Sequence, residues 1–108
     1  MAILRGTLDV LVLKSLQWGP MHAFEIASWL ESRSDGRLAV DDSALIQALH
    51  RMESRDLISA EWGVTEKERR ARYYKCTAAG RAHLRAEGAE LASDVAAIGA
   101  ILAAKPSR

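Results

Sequence analysis

A single cysteine, Cys76, stands in the 108 residues. Without a second thiol no disulfide can close within the chain, nothing argues for an oxidising compartment, and the expected location is the cytoplasm. Prolines number two and glycines seven, too few for a low-complexity or collagen-like chain. No apolar run approaches the roughly 20 residues that a bilayer-spanning helix requires. The apolar start "MAILRGTLDVLVLKSLQWG" is broken by Arg5, Asp9 and Lys14, and no small-residue cleavage site follows it. It reads neither as a membrane span nor as a signal peptide. Catalytic patterns are missing too: the chain has no glycine-rich phosphate loop, no Ser-His-Asp set and no paired catalytic carboxylates. His22, His50 and His83 are scattered, with no cysteine or carboxylate at ligand spacing. No enzyme, cofactor or metal site is expected.

What remains is an ordinary globular composition, 49% apolar and 27% charged, of a length that suits one small domain. A core of that size is modest, so association with a second copy would add considerably to stability. The net charge is only +1, yet the charges are not evenly spread. Between residues 67 and 85 stand Lys67, Arg69, Arg70, Arg72, Lys75, Arg81 and Arg85 against one acid, Glu68. Acids collect instead at Asp35, Asp41 and Asp42 and at Glu87, Glu90 and Asp94. A near-neutral chain with one basic segment points to a docking surface for an anion.

Periodicity supplies the scaffold for that segment. After Gly6, Thr7 is positioned to cap a first helix with Asp9 in its first turn, and Leu8, Leu11, Val12 and Leu16 recur at helical spacing. Val10 and Leu13 make this helix apolar on more than one side, so it is expected to be covered by its own domain and by a partner chain. "WGP" at 18–20 ends it. A second helix runs through "MHAFEIASWLES" with Ala23, Ile26, Ala27 and Leu30 on one stripe; "RSDGR" is a turn and "LAV" at 38–40 a short strand. A third helix, "DDSALIQALHRMESRD", is capped by Asp41, Asp42 or Ser43 and buries Leu45, Ala48, Leu49 and Met52. Its opposite face is Ser43, Gln47, His50 and Ser54, flanked by Ile46 and Arg51. "LISAEWG" is then a strand with Ile58, Ala60 and Trp62 on one side, "VTEKERR" a polar turn, and "ARYYKCT" a returning strand with Tyr74 and Cys76 inward and Tyr73 and Lys75 outward.

Helix, helix, short strand, helix and a two-strand ribbon with a charged tip is the order of a winged helix-turn-helix, an α+β fold that is mainly α. The expected DNA contacts are Ser43, Gln47, His50 and Arg51 on the third helix. On the ribbon they are Lys67, Arg69, Arg70, Arg72, Tyr73 and Lys75, gripping phosphates beside the groove the helix enters. Arginine suits this work, because its planar fork holds two phosphate oxygens at once. Thr77 caps a last helix reaching about Ala104, in which Leu84, Gly88, Leu91, Val95, Ile98 and Leu102 form a narrow apolar seam at steps of four and three. Residues 1–77 are therefore expected to form the DNA-binding domain and 78–108 a dimerisation helix. The expected dimer interface joins Leu84, Leu91, Val95, Ile98 and Leu102 to Leu8 and Leu11 of the first helix. Trp18, Trp29 and Trp62 read as core or interface, and Cys76 as a small buried apolar residue.

The blocks "LRGTLDVLVLKSL", "GPMHAFEIA", "ALHRMESRDLISAEWG" and "RRARYYKCTAAGR", in that order, resemble the PadR family of bacterial transcriptional regulators in its short form, and the resemblance covers about Leu4 to Leu102. The resemblance implies a homodimeric winged-helix DNA-binding protein, usually a repressor; the mechanism expected with it is binding of double-stranded DNA at a near-palindromic operator, with a small-molecule effector or another signal as the candidate regulator. The first and last helices then build the dimer. Where the family reads Ser-Leu-Tyr-Pro at the start of the third helix, this chain has Ala44, Leu45, Ile46 and Gln47, so a hydroxyl and a phenol give way to side chains that donate nothing. Gln47 on the outward face suits adenine in the major groove. The family's Gly-Tyr after His22 is Ala23-Phe24, where Phe24 reads as core packing. With no aromatic residue in the C-terminal helix, little is offered for a stacking pocket at the dimer centre, and the effector has no assigned identity. The competing expectation is a winged-helix dimer that binds protein through an apolar Ala44–Ile46 surface.

Overall fold

The computed structural model describes residues 6–107, so Leu4 and Arg5 lie outside the described residues. Four helices and one hairpin follow in order: α1 (Thr7–Ser15), α2 (Ala23–Arg33), α3 (Asp42–Ser54), β1 (Ile58–Val64), β2 (Arg70–Cys76) and α4 (Ala78–Leu102). Each boundary has a local cause. Gly6, at φ 77°, occupies the N-cap of α1, so Thr7 is the first helical residue and not the cap expected of it. His22 caps α2 in a box normally built by serine or threonine: its Nδ1 accepts the Glu25 amide at 3.3 Å while its own amide donates to Glu25 Oε1 at 3.1 Å. Of the three candidates for α3, Asp41 is the cap, accepting from the Ala44 amide at 3.1 Å.

α2 and α3 both stop in the same way. Asp35 and Asp56 take positive φ (54° and 58°) just past the last turns. The following amides then reach back five residues, Gly36 to the Glu31 carbonyl at 2.8 Å and Leu57 to the Met52 carbonyl at 2.9 Å. These are the paired bonds of a Schellman ending, and the second folds Leu57 under the helix it terminates.

The core is one cluster. Val12, Leu13 and Leu16 of α1, Ile26 and Leu30 of α2, and Leu45, Ala48, Leu49 and Met52 of α3 meet Leu57, Ile58, Tyr74 and Cys76. Each fully buried leucine contributes about 2 kcal/mol by removal from water. The expected stripe of α3 is the buried one, which leaves Ser43, Gln47, His50 and Ser54 exposed. Cys76 is buried with its thiol donating to the Leu13 carbonyl at 3.5 Å, and burial pushes its pKa up, so it stays a neutral thiol.

Two expectations are corrected. Residues 38–40 form no strand: Leu38 and Val40 tuck toward the core with Ala39 exposed, which imitates strand alternation, but the edge of β2 that they would need is taken by Met21, bridged to Tyr74. Phe24 is 77% exposed, because it lies off the Ala23–Ile26–Ala27–Leu30 stripe that faces the core. Of the tryptophans read as core or interface, Trp29 packs on the core, while Trp18 and Trp62 are largely exposed in the single chain, which leaves the interface reading for those two.

At the base of the hairpin three elements converge on a single point. Thr77 donates its amide to the Leu57 carbonyl (3.1 Å) and its hydroxyl to the Asp56 carbonyl (2.6 Å), and that hydroxyl accepts the Gly80 amide at 3.0 Å to cap α4. Gly80 lies against the Leu57 backbone so closely that a Cβ would overlap the carbonyl oxygen. From here α4 runs about 37 Å at 1.5 Å per residue. Its first turns pack on α1, with Leu84 against the core and Gly88 beside Val10. The distal half stands clear, with Val95 and Leu102 57% and 81% exposed, and the molecule measures 63 × 28 × 23 Å. No helix among the described residues is long and apolar enough to cross a membrane.

One charged pair is built into this core. Asp9, 5% exposed on α1, accepts from Arg51 Nη2 of α3 at 2.9 Å. Removing the arginine strands a buried carboxylate, so Arg51→Ala should cost about 1–2 kcal/mol, the partial exposure of Arg51 keeping the figure low, while Lys75→Ala stays within about 0.5 kcal/mol in the same urea titration. Glycine in a helix normally gains from alanine, by up to about 1 kcal/mol. Gly99→Ala, in open space, should follow that rule, whereas Gly80→Ala should reverse it and lower the melting temperature by about 10 °C or more by calorimetry.

Candidate nucleic-acid interface

The ribbon is a seven-residue antiparallel pair with Ile58 opposite Cys76 and Val64 opposite Arg70. Alternation along it sends Ile58, Ala60, Trp62 and Val64, with Arg70, Arg72, Tyr74 and Cys76, to the face that continues the core. Ser59, Glu61, Tyr73 and Lys75 go to the other. The tip turns at Thr65–Arg69, where the Thr65 amide bonds the Arg69 carbonyl at 2.8 Å and Glu68 takes φ 59°. That is a three-residue hairpin loop whose third position usually carries glycine.

Beyond the core, the inner face of the ribbon opens into a groove of ≈ 790 Å³ that runs between the tip, the start of α2 and Ile46 of α3. Its apolar lining includes Phe24, Ile46, Trp62 and Val64, all exposed, and its charged lining sets Lys67, Arg69, Arg70 and Arg72 against the acids Glu25 and Glu66. The expected ribbon cations are thus gathered beside α3, but they are not equivalent. Lys67 and Arg69 are exposed at the tip and make no ion pair among the described residues. Arg70 lies over the Trp62 ring, 4.7 Å from its centroid. Arg72 is tied back to α3: its Nη2 donates to Glu53 Oε2 at 2.8 Å and its guanidinium lies 5.7 Å from the Tyr74 ring centre. The bond to Glu53 raises its already high pKa.

Lys75 and Tyr73 lie on the outer face. Lys75 lines a small recess with Pro20, away from Ile46. The Tyr73 ring covers Gly63, where a Cβ would come within 2.8 Å of it, and packs edge-on to His22 at 5.4 Å; its hydroxyl donates to the Val64 carbonyl at 3.4 Å. On α3, Ser43, Gln47 and His50 are exposed on one face, with Gln47 Nε2 donating to Ser43 Oγ at 3.4 Å. Arg51, the fourth residue expected there, gives one amine to Asp9 and keeps the rest of its 54% exposed side chain toward solvent.

Three members of this surface carry no signal in the sequence. Glu53 holds Arg72 yet carries no motif, and its pairing depends on a turn of α3 lying over β2. Phe24 and Val64 line the groove only because α2 begins beside the ribbon, a neighbourhood that no local spacing reports.

The arrangement can place an exposed polar helix face in a groove of a duplex while a basic ribbon lies along the backbone, and comparison with known proteins finds the same fold elsewhere. A PadR family transcriptional regulator of Eggerthella lenta is 26% identical, with a TM-score of 0.74 over 94% of this chain and 86% of that one. Bacillus subtilis PadR, solved in complex with operator DNA, shares the fold at 16% identity, with a TM-score of 0.65 over 73% of this chain and 45% of that one. An uncharacterised protein of Lysinibacillus sphaericus is 26% identical over 82 residues, 76% of this chain and 75% of its own. The model of the PadR-like transcriptional regulator family matches residues 12–86, and on that match the chain belongs to this family.

Proposed function

We propose that the protein is a transcriptional repressor that binds double-stranded DNA as a homodimer. One observation carries the reading: Ile46, which flanks the exposed polar face of α3, and the cations at the ribbon tip border the same groove, with the ribbon tied to α3 by the Arg72–Glu53 bond. α3 enters the major groove, Lys67 and Arg69 contact phosphates, and the shared fold of an operator-bound relative supports this orientation. A symmetric pair of heads then takes successive major grooves of a near-palindromic site, about 34 Å apart.

The distal seam of α4 supplies the second copy. Leu91, Val95, Ile98 and Leu102 have no covering element among the described residues, and Leu8 and Leu11 of α1 are only half-buried beside the stem of α4. Covering a 25-residue helix that carries interior glycines is what stabilises it. In this arrangement a signal acts by changing the angle between the two heads, since small rotations spoil the half-site spacing.

A second reading, a protein-binding module, draws on the exposed Phe24, Ile46, Trp62 and Val64. Salt separates the two, because phosphate contacts release counterions and apolar contacts do not. In anisotropy titrations against the upstream DNA of its own gene and a scrambled duplex, binding should prefer the first and fall steeply with salt. Lys67→Ala with Arg69→Ala should weaken both complexes and reduce the log–log salt slope by about two. Binding that ignores salt, or a double variant equal to wild type, moves the assignment to a protein partner. In sedimentation, Val95→Glu with Ile98→Glu should convert a species of twice 11.8 kDa into one of 11.8 kDa with the winged-helix head still folded.

A further inference from the structure

Ile46 is an awkward residue for a DNA-facing helix. It is 40% exposed, it is the fifth residue of α3, and it borders the groove that the ribbon cations line. Its side chain is branched at Cβ and stiff, so it cannot bend away from whatever α3 meets. It donates nothing to a phosphate. Pressed against a polar base edge, it would remove water from that edge without returning a hydrogen bond. The major groove offers one apolar group among the four bases, the C5-methyl of thymine.

Its neighbour has the complementary chemistry. Gln47 is exposed and gives one amide hydrogen to Ser43 Oγ at 3.4 Å, which orients the carboxamide on the helix face. That leaves the carbonyl oxygen and the second amide hydrogen, the acceptor and donor that the N6 amine and N7 of adenine require. The acids Asp41 and Asp42 stand at the N-terminus of α3, with Asp41 consuming the Ala44 amide. Phosphate is therefore repelled from this end of the helix, and a close approach there is an approach to bases.

Resting on the DNA-binding reading above, we infer that Ile46 and Gln47 together read a step of adjacent thymine and adenine in each half-site, Ile46 covering the thymine methyl and Gln47 pairing with the adenine. These two residues then set sequence preference, while Lys67 and Arg69 set affinity for any duplex.

The experiment selects duplexes from a randomised library with the full-length protein, then replaces each thymine of the selected duplex by deoxyuridine, which lacks only the methyl. At one thymine per half-site, wild type should lose about fourfold in affinity, the worth of one buried methyl group. Ile46→Ala should bind thymine and uracil duplexes equally. Gln47→Ala should lose about tenfold discrimination between adenine and guanine at the neighbouring position. Ile46 and Gln47 are exposed, so both variants should melt with the wild type, which calorimetry checks. Selected half-sites lacking a thymine–adenine step, a uracil duplex bound as tightly as thymine, or a uracil penalty that persists in Ile46→Ala would each overturn the assignment. Salt-sensitive binding without any selected sequence would overturn it while leaving DNA binding intact. If no duplex binds at low salt, the DNA-binding reading itself fails.

Discussion

The geometry of the molecule is set where Gly80 meets the backbone of Leu57. That contact joins the segment between α3 and the ribbon to the first turn of α4, and it leaves no room for a side chain. Thr77 completes it, its hydroxyl bridging the Asp56 carbonyl and the Gly80 amide. Because the elements touch through backbone atoms, their relative directions are not open to adjustment by side-chain repacking. The long helix leaves the head at an angle fixed by the same atoms that end the exposed helix. Any change in the direction of α4 is thus felt at α3, and the reverse.

Two of the arginines on this surface hold the scaffold. Arg51 neutralises a carboxylate that α1 has taken into the core, and Arg72 fastens the ribbon to α3 through Glu53. The first bond matters more for stability, since Asp9 has lost its water, whereas both partners of the second are about one-third exposed. The Arg72–Glu53 bond acts chiefly on position. It keeps the inner face of the ribbon, with Arg70 and Trp62, at a set distance from Ile46. A positive segment that looks uniform along the chain is in fact divided between cations that shape the site and cations at the tip that face outward.

Much of the fold could be read from spacing alone. The stripe of Leu45, Ala48, Leu49 and Met52, the Asp41 and Thr77 caps, and the alternation that buries Tyr74 and Cys76 are all local patterns, and local patterns are what a linear chain displays. The failures share one cause. Phe24 has core-like chemistry but sits a hundred degrees from the core stripe, and "LAV" has strand-like alternation but no free edge to join, because Met21 reached β2 first. Gly80 is invisible for the same reason, since its importance lies in a carbonyl 23 positions away. The candidate site was legible as residue types on the right elements. The separate duties of Arg51, Arg72 and Tyr73 were not, since each depends on a partner from a distant part of the chain.

β2 is flanked on both sides, by β1 and by Met21, but among the described residues β1 pairs only with β2. Its other edge carries unspent amides and carbonyls beside the exposed Trp62 and Val64, a ready template for another strand. Neither proline nor lysine blunts it. The defence is one residue: Glu61 lies at the centre of Ile58–Val64, so a symmetric antiparallel meeting of two such edges sets carboxylate against carboxylate. Ribbon-to-ribbon joining of crowded copies is thus opposed at one position, by the only charge that β1 carries.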